Sequence, residues 1–280
     1  MGKTLSPLRY PGGKSQIINR VRRVIEENDY GHRIYVEPFA GGFGVGISLL
    51  VNDVVQQAVI NDSDTHVFHF WDSVLNHVED LNRLIHDTPI TLEEREHQKA
   101  VYLDPNAGTL LDGFATLYLN RVNYSGVLFA GPIGGNQQES QYHLGCRFNK
   151  ENIIQRVQRV AELHERIRLF NLDAADLIGN VLHHEIAQSF YNIDPPYVKK
   201  GRSLYSEYYT EQGHRDFAAI IHEHLGETPW IVTYDNCDLI REIYHGFNIN
   251  EFELYHSAYD RARGTELVIT NIPRARFHWL

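Results

Sequence analysis

Apolar positions along the chain change period repeatedly, and the changes mark out the elements. Ser15 to Asn28 places Ile17, Ile18, Val21, Val24 and Ile25 on one face, which predicts an amphipathic helix. A short strand follows at Arg33 to Val36, stopped by Glu37-Pro38 and a cluster of glycines, and a helical pattern resumes from Val45 to Val51. Gln57 to Ile60 reads as a second strand, closing on Asn61-Asp62. From Thr65 to Asn120 the pattern is helical, broken at Pro89 and around Asp104-Pro105. Further on, helices are predicted at Lys150 to His164, Glu211 to Leu225 and Leu239 to Tyr244. Strands are predicted at Ile167 to Phe170, Gln188 to Ile193 and Trp230 to Thr233, with further candidates at Asn248 to Tyr255 and Glu266 to Thr270.

Strands alternating with helices predict an α/β fold built on an open sheet, in which ligands bind beyond the carboxyl ends of the strands. Three of the strands end on an acid or a glycine turn, at Glu37, Asp62 and Asp194. Between Arg121 and Asn149 no period is sustained. That glycine- and glutamine-rich stretch is too long for a plain connection and is expected to be a functional loop or hairpin.

Composition narrows the classes. At 42% hydrophobic and 22% charged residues, a disordered chain is excluded, and 280 residues allow one large domain or a core with a sizeable insertion. No apolar run approaches a membrane span, and the start MGKTLSPLRYPGGKSQ lacks the apolar core of a secretory signal. With two cysteines and no CxxC pair, a cytoplasmic location and no membrane partner are expected. A net charge of −10 argues against a polyanion partner in bulk, although local clusters outweigh bulk charge within a Debye length of roughly 8 Å. The 16 histidines raise the question of a metal, but His183-His184-Glu185 and His222-Glu223-His224 lack ligand spacing, and no metal site is expected.

Two segments carry chemistry. Glu37-Pro38-Phe39-Ala40-Gly41-Gly42-Phe43-Gly44 lies between a strand and a helix, where glycines admit a ligand close to backbone and the helix start offers free N–H groups. With Asp62 about 20 residues later, this is compatible with any nucleotide fold, a dinucleotide site included, or with a tight turn. Asp194-Pro195-Pro196-Tyr197 directly follows an apolar strand. Its prolines remove donors and stiffen the turn, leaving an acceptor-rich corner beside an aromatic ring, suited to the exocyclic amine of a planar base.

Over nearly its whole length the chain resembles the Dam-type (D12 class) family of S-adenosylmethionine-dependent DNA adenine N6-methyltransferases. Arg9-Tyr10-Pro11-Gly12-Gly13-Lys14, the glycine segment, Asn61-Asp62, the DPPY segment and Thr233-Tyr234-Asp235-Asn236 occur in the family's order. The resemblance implies a Rossmann-like class I methyltransferase core at residues 1–64 and 166–280, interrupted by a helical, loop-rich target-recognition insertion at 65–165. It implies that Tyr10, Lys14, Glu37, Pro38, Phe39, Gly41, Gly42, Asp62 and Asp194 bind S-adenosylmethionine. Asp173 either joins them or caps a helix.

Asp194, Pro195, Pro196 and Tyr197 would receive an adenine flipped out of double-stranded DNA at a specific short sequence, with Tyr197 stacking on it. Because the ring does the stacking, Tyr197→Phe is expected to retain much activity. Arg121, Asn123 and Tyr124 resemble the family's DNA-contacting segment, whereas residues 130–150 do not match the hairpin of its GATC-specific members. Lys199, Lys200 and Arg202 suit phosphate contact, and Arg261, Arg263, Arg274 and Arg276 form a second basic cluster; each is equally readable as a solvated residue. A restriction endonuclease or another defence component is a further partner such an enzyme can have. Other readings stay open: methylation of an RNA base or of a glutamine amide on the same fold, or an inactive nucleic-acid-binding module.

Overall fold

The computed structural model describes residues 5–9, 16–198, 209–255 and 263–279. The chain divides into two compact units. One holds the described residues 16–64 and 166–279, and the other 65–165 together with Leu5–Arg9.

The first unit is a sheet with helices. Among the described residues it has seven strands: β1 (Ile34–Glu37), β2 (Ala58–Asn61), β3 (Ile167–Phe170), β4 (Ser189–Ile193), β5 (Trp230–Asp235), β6 (Asn248–Tyr255) and β7 (Arg263–Thr270). They lie in the order β3-β2-β1-β4-β5-β7-β6. The first five pair in parallel, while β7 runs antiparallel between β5 and β6. Every residue of β2, β4 and β5 is buried, which is why these segments read as unbroken apolar runs without alternation.

The helix α1 (Ile18–Glu27) buries the stripe Val21, Val24 and Ile25, and α2 (Gly44–Val51) connects β1 to β2. The chain order turns back between β1 and β4, so the carboxyl ends of those two strands flank the switch point where ligands bind in such sheets. One core cluster, including Val36, Val59, Tyr191, Ile193, Val232 and Leu267, ties the strands beneath that edge.

The second unit is helical. Its elements are α3 (Thr65–Asn76), α4 (Val78–Asp87), α5 (Leu92–Leu103), α6 (Thr109–Val122) and α7 (Lys150–Ala161). The side chains of Thr91 and Asn149 accept N–H bonds from Glu94 and Asn152 and so cap α5 and α7. All of α6 from Asp112 to Val122 is buried, so it is the unit's central helix.

Sequence reading places the N-terminal residues with the sheet, but Leu5–Arg9 belong with the helices. The reason is a set of bonds to main chain: Arg9 N–H donates to Asn120 Oδ1 at 2.7 Å, and Asn120 Nδ2 donates to the Arg9 carbonyl at 2.8 Å. Arg156 donates to the Ser6 carbonyl at 2.9 Å. After β3 come α8 (Ala174–Asp176) and a wide turn at Leu177–Val181. The helix predicted over Glu211 to Leu225 is α-helical only at α9 (Glu211–Ile220) and widens into a π turn at Ile221–Leu225. The last helix, α10, spans Asp238–Ile243.

Candidate active site

At the end of β1, Glu37 is buried, and its Oε1 accepts both the Tyr35 hydroxyl at 2.6 Å and the Gly46 N–H at 3.0 Å. Burial pushes this carboxyl up to about 8, with the Asp194 charge adding to the push. The Tyr35, Gly46 and Asn192 hydrogen bonds work the other way. Near neutral pH it therefore keeps its proton. Burial and the Glu37 charge in turn hold the Tyr35 phenol well above its ordinary range.

The glycine turn follows, with Gly41 at φ 44° and the buried Phe43 also left-handed at φ 47°. Gly46 has to be glycine, because a Cβ there would sit 1.9 Å from the Phe43 ring. Pro38 is buried, Gly42 is half-buried, and Phe39 packs edge-on against Tyr209 and Phe217.

Past β2, Asp62 Oδ2 accepts the Gly41 N–H at 2.8 Å and Oδ1 the Asp64 N–H at 3.1 Å. Asn61 joins the neighbouring strand ends: its Nδ2 donates to the Pro38 and Leu172 carbonyls, both at 2.9 Å. Asp173 is exposed and accepts the Ala175 N–H at 2.7 Å, the bond of a helix cap.

Asp194 directly follows β4. Its Oδ1 accepts the Thr233 hydroxyl at 2.7 Å. Pro195 is buried and Pro196 half-buried. The Tyr197 hydroxyl donates to Glu266 Oε2 at 2.7 Å, and the Val198 N–H donates to Asp235 Oδ1 at 3.0 Å. Glu37, Asp62 and Asp194 thus all stand at the carboxyl edge of the parallel strands, in one unit.

Sequence reasoning missed Glu266 as a contact of this site. It sits in a strand recognised only by its β character, and no local motif marks a partner 69 residues away. It also missed that Thr233 and Asp235, seen only as part of a strand motif, fasten the DPPY corner.

In the helical unit the structure departs from expectation. Arg121 is buried, and its guanidinium donates to the Pro7 and Arg147 carbonyls. Burial, with Arg156 and Arg9 nearby, pushes it down to about 9. Asn123 is also fully buried: its Oδ1 accepts Arg95 Nε at 2.8 Å and its Nδ2 donates to the Leu128 carbonyl at 2.7 Å. Arg95 Nη2 donates to the Ala130 carbonyl at 2.9 Å, and Asn120 Nδ2 to that of Gly126 at 2.9 Å. Arg121 and Asn123, expected to touch DNA, are thus turned inward: Asn123, with Arg95 and Asn120, braces the loop that follows α6, and Arg121 ties the Pro7 and Arg147 main chain. Tyr124, 49% exposed, and Phe129, 67% exposed, are the aromatics that this braced loop presents.

Tyr10, Lys14, Lys199, Lys200, Arg202 and Arg261 lie outside the described residues. Among the described residues no group of three or more His, Cys, Asp or Glu is arranged to hold a metal ion, and no helix is long and apolar enough to cross a membrane.

A parallel sheet whose switch point carries a glycine turn, a buried acid and the Asp-Pro-Pro-Tyr corner defines an α/β methyltransferase. The chain matches the D12 class N6 adenine-specific DNA methyltransferase family over residues 10–257 and belongs to it. It is 23% identical over 268 residues to the type II methyltransferase M.MjaIII of Methanocaldococcus jannaschii, covering 87% of this chain and 89% of that protein. It is also 23% identical over 312 residues to the modification methylase StsI of Streptococcus sanguinis, covering 98% of this chain but only 44% of that protein. The activity is S-adenosylmethionine-dependent methylation of adenine in DNA.

Proposed function

We propose that the edge formed by Glu37, the glycine turn, Asp62 and Asp194 binds S-adenosylmethionine, and that Asp194 to Tyr197 receives an adenine flipped out of duplex DNA. The observation that carries this reading is the orientation of Asp194, held by Thr233 at the end of β4 beside the switch point. The donor set fits a cationic cofactor: two acids converge there, and Glu37 is kept protonated by burial for want of a compensating positive charge. Glu37 would face the positively charged methionine part, while the Gly41 turn brings main chain close to the ligand and Asp62 holds that turn. When bound, the cofactor supplies a methyl group on a sulfonium, with a neutral thioether as leaving group.

The N6 lone pair of adenine is conjugated into the ring and nucleophilically weak. N–H bonds donated to the Asp194 carboxylate and the Pro195 carbonyl would favour a tetrahedral nitrogen with a free lone pair. Asp194 or water would take the proton that N6 loses on methylation. Catalysis is positioning and electrostatics, without a covalent enzyme intermediate. Tyr197 stacks on the extruded base.

The helical unit at 65–165 reads the target, through Tyr124 and the loop that Asn120, Asn123 and Arg95 brace; the basic residues Lys199, Lys200 and Arg202 contact phosphates. The names of the two relatives support modification of a short duplex sequence within a restriction system, with a cognate endonuclease as partner.

Asp194→Ala tests the site. Under single-turnover conditions at saturating cofactor, it should lose on the order of 10²–10³ in methyl transfer, by analogy with removal of one transition-state hydrogen-bond partner. The fold should survive, because both prolines remain. Wild-type transfer by this variant would return the corner to a structural turn. Labelled cofactor offered with DNA, RNA and protein, followed by modified-base sequencing, identifies the target.

A further inference from the structure

Among the described residues, three side chains of β5 and β7 hold the segment Asp194 to Val198. Thr233 and Asp235 are on β5, and Glu266 is on β7. The antiparallel register pairs Asp235 directly with Glu266. Two acids therefore stand side by side across the ladder, one taking the Val198 N–H and the other the Tyr197 hydroxyl.

Glu266 is 2% exposed, and the next residues of its strand, Leu267, Val268 and Ile269, are buried and apolar. Burying a carboxylate in such a strand costs stability unless it is hydrogen-bonded, and a leucine would serve the sheet better. What the acid does here is hold the far end of the Tyr197 ring. With the backbone fixed at one end and the hydroxyl at the other, the ring cannot swing about Cα–Cβ, so its place beside Asp194 is set before any base arrives. A bond to a carboxylate is the stronger kind for this purpose.

We infer that Glu266 is a positioning residue for methyl transfer, holding the Tyr197 ring in the place from which it stacks on the target adenine beside Asp194. The inference rests on the reading of Asp194 to Tyr197 as the target site. It also changes the expectation for Tyr197→Phe, which keeps the ring but loses its anchor.

The test compares Glu266→Ala, Glu266→Gln, Tyr197→Phe and the double variant Glu266→Ala/Tyr197→Phe in single-turnover transfer to DNA, with cofactor affinity measured alongside by calorimetry. Glu266→Ala and Tyr197→Phe should each slow transfer about 10- to 100-fold, the effect of losing one charge-assisted bond, while cofactor affinity holds. Glu266→Gln should recover most of the rate, because its amide oxygen still accepts the hydroxyl. The double variant should be no slower than the slower single one, since both break the same bond. A wild-type rate for Glu266→Ala, or losses that multiply in the double variant, overturns the inference. Should Glu266→Ala fail to fold, Tyr197→Phe leaves β7 intact, and a wild-type rate from it is equally fatal. Asp194→Ala separates the two levels: if it is inactive while Glu266→Ala is not, only the role of Glu266 falls.

Discussion

Replacing Glu37 by glutamine should make the protein lose less stability as pH rises. Two of the donors to Glu37, the Tyr35 hydroxyl and the Gly46 N–H, land on the same oxygen, Oε1. That arrangement suits a neutral carboxyl, whose carbonyl oxygen takes two donors while the other oxygen carries the proton; a glutamine amide reproduces it. The sign follows from the shift. Glu37 stands at about 8 in the folded chain against 4.5 ordinarily, so its contribution to stability is full below 4.5 and is lost as pH rises through 8. Over that window the wild type should lose about 1.4 kcal/mol per pH unit through this group, with a ceiling of about 5 kcal/mol.

Many other groups titrate in the same range, the histidines foremost, but they are common to both proteins and cancel in the difference. Urea unfolding of wild type and Glu37→Gln between about pH 5.5 and about pH 8.5 should show the gap moving toward the variant by about 3 kcal/mol. A gap that stays constant across this range refutes the assignment of a buried, protonated Glu37. A second measurement checks the same proton. Cofactor binding near pH 7 should release it, seen as a binding enthalpy that depends on the ionisation enthalpy of the buffer in wild type and not in the variant.

Two further substitutions probe the scaffold. Gly46→Ala drives a methyl into the buried Phe43 ring, so thermal unfolding should show a loss of about 1–3 kcal/mol, accompanied by weaker cofactor binding because the bond to Glu37 is disturbed. Arg95→Ala removes the bonds to Asn123 and the Ala130 carbonyl, so amide exchange across residues 124–131 should speed up about tenfold or more and DNA affinity fall while cofactor affinity holds. Unchanged exchange would show that the loop does not depend on this brace.

The alternation of strands and helices, and the acids that end β1, β2 and β4, were legible because burial on both faces writes itself as continuous apolar runs and turn chemistry as glycine and proline. What stayed hidden is non-local. The break between α3 and α4 at His77 has no proline or glycine to mark it, so Thr65 to Asp87 reads as one helix. An arginine and an asparagine in a motif look solvent-facing, and only the packed structure shows Arg121 and Asn123 turned inward onto main-chain carbonyls. The place of β7 between β5 and β6 is equally invisible, because strand order depends on pairing across the sheet and not on local period. With it went the partner of Tyr197.

The position of β7 also bears on how the protein comes into being. The ribosome makes Tyr197 69 residues before Glu266, an interval of roughly 3 to 14 seconds at ordinary translation speeds. Until β7 emerges, β5 presents an open apolar edge, the kind of surface that recruits other chains, and the Tyr197 hydroxyl lacks its bond to Glu266. A nascent chain with all its recognisable motifs already made is therefore sticky while Tyr197 is still loosely held. Closure of the sheet by its reversed strand ends both conditions in a single event, so the same step that covers the sticky edge also completes the hold on Tyr197.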